Sequence, residues 1–144
     1  MSIREKLLGT SWELVRYQSE DKDGNMMYPL GEDAKGVIIF TVNSQLSVHI
    51  TAADRETKVS QEKLELYNTE AEKEMARIGY HGYSGPFDLD EEKSVLTTHV
   101  KISVLSEYIG SDQNRSARID GDNLYLSNIQ HPERKLVWKK IVKN

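Results

Sequence analysis

The sequence contains no cysteine. Disulfides, thiolate metal sites and thiol nucleophiles are thereby excluded, and the absence fits a reducing compartment. Long apolar runs are also missing. The opening Met1-Ser2-Ile3-Arg4-Glu5-Lys6-Leu7-Leu8-Gly9 lacks the apolar stretch of a signal peptide. No segment approaches the ~20 apolar residues of a membrane span. The expectation is a cytoplasmic protein. Neither sign of charge dominates: 19 basic against 23 acidic side chains leave a net charge of −4. No Lys/Arg stripe interleaves with aromatics, which argues against a nucleic-acid partner. The one locally basic run, Lys139-Lys140-Ile141-Val142-Lys143, reads as a solvated chain end.

Recognisable catalytic signatures are scarce as well. Gly82-Tyr83-Ser84-Gly85 is not a Gly-x-Ser-x-Gly elbow, and no phosphate-cradling glycine loop occurs. The four histidines, His49, His81, His99 and His131, include no close pair at metal-ligand spacing. Neither a cofactor nor a metal is expected. The acidic run Asp88-Leu89-Asp90-Glu91-Glu92 reads as a solvated turn.

What is present is alternation. Short segments of period two recur between turn residues: Trp12–Ser19, Met26–Tyr28, Val37–Val42, Gln45–Thr51, Gly82–Leu89, Ser94–Leu105, Gln113–Ile119, Asn123–Asn128 and Leu136–Val142. Asp23-Gly24 and Asn43-Ser44 sit where tight hairpins are needed. One stretch departs from this pattern. Leu64, Tyr67, Ala71, Met75 and Ile78 recur at steps of three and four. That spacing predicts one helix, or two short ones, over about Gln61–Ile78. Thr69-Glu70-Ala71-Glu72 offers a capping box for a restart, and Gly79 a stop. With 144 residues, the chain fits one domain. The expectation is an all-β, antiparallel up-and-down barrel of about eight to ten strands, with one or two short helices packed on it.

Several runs carry a family likeness. Leu7–Val15 holds a Gly-to-Trp opening strand, and Tyr28-Pro29-Leu30-Gly31-Glu32-Asp33-Ala34-Lys35-Gly36 precedes Ile38-Ile39-Phe40-Thr41. Tyr83-Ser84-Gly85, Gly110-Ser111-Asp112-Gln113-Asn114-Arg115, Asp120-Gly121-Asp122-Asn123-Leu124 and Leu136-Val137-Trp138 follow in order. In these the chain resembles the bacterial lipocalin-like domain family, a calycin-type β-barrel. The resemblance implies a barrel around an interior pocket and says little about function. There are departures. Trp12 follows Gly9 by three residues instead of two, and Thr98 stands where a His is common. A role attached to that His does not transfer.

Strand parity gives an independent reading of the lining. Leu46, Val48 and Ile50 share one face, which turns His49 outward. Leu96, Val100, Ile102 and Val104 place Thr98 inside and His99 outside. Ala117 and Ile119 carry Arg115 inward, and Tyr83, Phe87 and Leu89 carry His81 with them. Trp12 and Leu14 share a face with Arg16, although Val15 and Tyr17 compete for it; Leu136 and Trp138 share another. The candidate ligand-binding residues are Arg16, His81, Tyr83, Thr98, Arg115 and Trp138. Trp12 reads as a plug at one barrel end. No Asp or Glu sits mid-strand on these faces, so an interior Arg calls for water or an anionic ligand.

Three functions fit. The first is a binding protein for a small apolar or amphiphilic molecule, its polar or anionic end near Arg115 and Tyr83. The second is an isomerase- or cyclase-type enzyme using the same pocket, with His81 or Tyr83 moving a proton. The third is a barrel filled by its own side chains and acting as an interaction protein.

Overall fold

The computed structural model describes residues 1–142; Lys143 of the basic tail lies outside them. Eight antiparallel strands close into a barrel. They are β1 (Thr10–Glu20), β3 (Lys35–Phe40), β4 (Gln45–Thr51), β5 (Tyr80–Asp90), β6 (Val95–His99), β8 (Asp112–Asp120), β9 (Asn123–Asn128) and β10 (Lys135–Lys140). Each pairs with the next in sequence, and β10 pairs back onto β1, so no long edge is left open. Two short strands lie outside this ring: β2 (Met26–Met27) on β1 and β7 (Ile102–Ser103) on β5. The up-and-down barrel expected from strand spacing is the observed architecture.

The helical stripe resolves into two pieces. Helix α2 (Gln61–Leu64) is capped by Ser60, and α3 (Glu70–Ile78) by the Thr69 hydroxyl, which accepts from the Glu72 amide. Gly79, at φ 77°, ends α3 in the left-handed conformation that glycine adopts without strain. Helix α3 covers one end of the barrel. A five-residue helix that periodicity did not predict, α1 (Ile3–Leu7), lies at the N-terminus.

The far end is solid. Trp12, Phe40, Phe87 and Leu7 are fully buried, and the Phe40 and Phe87 rings meet edge to face at 5.4 Å. The Trp12 indole N–H donates to the Thr10 hydroxyl at 2.9 Å. Each such apolar side chain stabilises the fold by about 1.5–3 kcal/mol relative to exposure.

Two single-residue insertions alter the expected faces. In β1, Leu14 pairs with Trp138 but Arg16 pairs with Val137, so Val15 is the extra residue of a β-bulge. Beyond it the parity inverts: Tyr17 is buried and Arg16 is exposed, bonded to Gln18. The inward placement of Arg16 is therefore corrected. The second insertion divides the expected Ser94–Leu105 strand. Phe87 pairs with Thr98, yet Ser84 pairs with Ile102, one residue out of step. Ile102 and Val104 consequently face solvent, while Val100 and Leu105 stay buried. Gly85 lies under this bulge, where a Cβ would collide with the His99 carbonyl oxygen.

Candidate functional site

Below α3 the barrel is not completely filled. A chamber of about 40 Å³ is walled by aliphatic side chains, among them Ile38, Val48, Ile50, Leu96 and Leu126. One water needs ~10–15 Å³, and a ~150 Å³ cavity takes benzene, so this space suits a group of few atoms. Polar side chains enter the same chamber: Tyr17, His81, Tyr83, Tyr108, Arg115, Asn128, Arg134 and Trp138. Tyr108, Asn128 and Arg134 also wall an outer vestibule of about 300 Å³, which α3 and the β9–β10 loop border.

Four of the six sequence-derived candidates, His81, Tyr83, Arg115 and Trp138, line the chamber. Thr98 is buried behind it, with its side chain beside the Tyr83 hydroxyl. Arg16 stands on the outer surface beside Arg118 and Tyr125. His49 is exposed and His99 half-exposed, both outside, as parity required.

Charge in the site is unevenly matched. Arg134, on the β9–β10 loop, is 5% exposed; one of its terminal nitrogens lies 3.2 Å from Glu72 Oε1 and donates to Thr69 Oγ1 at 2.5 Å. Glu72 is fully buried and also accepts from the Ser19 hydroxyl at 2.5 Å. Arg115 has neutral partners instead, the Asn114 carbonyl at 3.0 Å and Gln113 Oε1 at 3.2 Å. It also lies beside the Tyr83 hydroxyl. The rings of His81, Tyr83 and Tyr108 cluster with centroids 5.5–6.0 Å apart. Burial, reinforced by Arg115 and Arg134, pushes His81 down to about 3, so its imidazole is neutral. Burial likewise raises the Tyr17 and Tyr83 phenols.

Three buried side-chain nitrogens find no hydrogen-bond partner among the described residues: His81 Nδ1, Arg134 Nε and Trp138 Nε1. All three belong to side chains that line the chamber. Buried polar groups are nearly always paired, so three such side chains in the wall of one cavity set this site apart from the packed end. Among the described residues no three His, Asp or Glu side chains converge as a metal site would require.

Sequence reasoning missed Tyr17, Tyr108, Asn128, Arg134 and Glu72. Glu72 was legible only as the last member of a capping box. Arg134 sits in a His131-Pro132-Glu133-Arg134 turn, where an arginine ordinarily points to solvent.

A family profile for the lipocalin-like domain matches residues 9–141. The chain belongs to the lipocalin-like domain family. This lipocalin-like barrel is of a general ligand-binding type, and the cavity lies where such a barrel keeps its interior space. No curated protein matches the chain. Among the described residues, no helix of this lipocalin-like protein is long and apolar enough to cross a membrane.

Proposed function

We propose that the protein binds a small, partly apolar molecule in the chamber below α3, with the polar end held at Arg115 and Tyr83. The observation that carries this reading is the chamber itself, an aliphatic cavity into which buried, incompletely paired polar side chains converge. That combination marks binding sites, whereas packing alone produces apolar voids. The small volume restricts the ligand. A long acyl chain does not fit among Ile38, Val48 and Leu126, whereas a short one reaching out to the vestibule does.

An enzymatic use of the same chamber has less support. His81, neutral and flanked by two guanidinium groups, is a poor proton acceptor, and Glu72 is committed to Arg134.

Native mass spectrometry of the purified protein, before and after organic extraction, tests the binding reading. The expected result is a small adduct that extraction removes and that Arg115→Ala retains less well. Equal retention by the variant overturns the role of Arg115.

A further inference from the structure

We infer that the chamber selects a singly charged carboxylate, read by the side-chain nitrogens of Arg134, Trp138 and His81 and balanced by Arg115. The inference rests on the binding reading above and specifies the chemical class of the ligand's head.

The first argument counts donors. Arg134 Nε and Trp138 Nε1 each carry an N–H and can never accept a hydrogen bond. A neutral imidazole can place its single proton on Nδ1 and make His81 a third donor. The carbonyl acceptors nearby are partly engaged. Asn128 Oδ1 accepts from the Gln130 and His131 amides, and Gln113 Oε1 accepts from Arg115. A group entering the chamber meets these donors and must supply acceptors to them. An amide or an alcohol offers those donors a single acceptor oxygen. A carboxylate is acceptor-only, with two oxygens.

The second argument counts charge. Two arginines, Arg115 and Arg134, line the chamber, and one carboxylate, Glu72, is paired with Arg134. Glu72 offsets Arg134, which leaves one positive charge, and His81 adds none. The acidic residues of the vestibule do not neutralise that excess. Glu70 is largely exposed and paired with Lys73, and Glu107 is exposed. A monoanion cancels the remaining charge. A dianion would leave an uncompensated negative charge in a buried site, which is costly.

The third argument is orientation. Arg134 is not free to turn. The Glu72 and Thr69 oxygens both hold one of its terminal nitrogens, and its Nε is buried with no partner among the described residues. A donor fixed in this way binds without loss of rotamer freedom at the moment of binding.

Matched probes separate the claims: butyrate, butyramide and butyl phosphate, titrated by NMR at about pH 8, where a phosphate monoester with a second pKa of about 6 carries two charges. The expected order is butyrate at least about tenfold tighter than either other probe, a difference equivalent to about 1.4 kcal/mol. Arg115→Gln, at a half-buried site, should abolish the preference of butyrate over butyramide. Equal affinity for all three probes in the natural protein overturns the carboxylate inference while the chamber remains a binding site. Tightest binding of butyl phosphate overturns the charge count. Absence of binding by every probe overturns the binding reading itself.

Discussion

Arg134 and Glu72 form a buried ion pair at 3.2 Å that joins the β9–β10 loop to helix α3 across the mouth of the barrel. The glutamate is 0% exposed and the arginine 5%. Breaking such a pair from one side leaves the other charge uncompensated, at a typical cost of about 3–5 kcal/mol. Replacing both partners by apolar residues of similar size removes that penalty. Urea unfolding of Glu72→Leu and of Arg134→Met should therefore show large losses. The double variant should be more stable than either single one. Simple addition of the two losses in the double variant would show that the pair is not energetically coupled.

The histidines impose opposite pH dependences. His81 titrates near 3 in the folded chain and near ~6.5 when unfolded. The unfolded chain binds the extra proton between those values, so stability rises with pH across that window. His81→Gln should flatten the acid limb of a plot of unfolding free energy against pH. An unchanged limb would mean that His81 is not buried in the neutral form.

His99 acts in the other direction. Its Nδ1 and Nε2 lie 2.7 Å from Asp112 and Asp88 respectively. Those hydrogen bonds raise its pKa above the ordinary value. Its contribution is present in full below ~6.5 and is lost as pH rises through the raised value. The two aspartates belong to β5 and β8, and His99 and Asp112 flank the loop that carries Tyr108. Amide hydrogen exchange in residues 100–111, corrected for intrinsic rates, should speed up from pH 6 to pH 9 in the natural protein. His99→Gln should show no such pH dependence. A response equal in both proteins would assign it to another group.

Gly85 has a single physical role. The bulge after His99 brings that residue's carbonyl oxygen onto the Gly85 backbone, where even a methyl group has no room. The obstacle is backbone on both sides, so no side chain can swing away. Gly85→Ala should lower stability by about 2 kcal/mol or more, within the range of overpacking penalties, as read from the midpoint of chemical denaturation. Gly24→Ala meets no neighbouring atom and should cost only the strain of its φ of 83°. Equal losses at the two positions would show that Gly85 is not crowded.

The barrel was legible because a strand with one buried face writes its pairing into every second residue. Leu46, Val48 and Ile50 illustrate this, as do the inward His81, Tyr83, Arg115 and Trp138. Parity fails wherever one residue is inserted. Val15 and the residues after Thr98 are such places, and nothing in composition separates a bulged strand from a regular one. Arg16, Ile102 and Val104 were displaced from their expected faces for that reason alone. The ion pair was illegible for a different reason. Its partners lie on a helix and on a turn far apart in sequence, and only the closing of the barrel end brings them together. A face assignment made strand by strand contains neither Arg134, which sits on a loop, nor the α3 carboxylate that pairs with it.

The two tryptophans provide an internal control for the central claim. Trp12 Nε1 is bonded to Thr10 at 2.9 Å at the solid end, whereas Trp138 Nε1 has no partner among the described residues and its side chain lines the chamber. In a two-dimensional ¹H–¹⁵N spectrum the two indole N–H groups give separate signals. Addition of butyrate is predicted to move the Trp138 indole signal downfield, as expected of a new charge-assisted hydrogen bond, and to leave that of Trp12 in place. Saturating shifts elsewhere in the protein with the Trp138 indole unmoved would contradict the account.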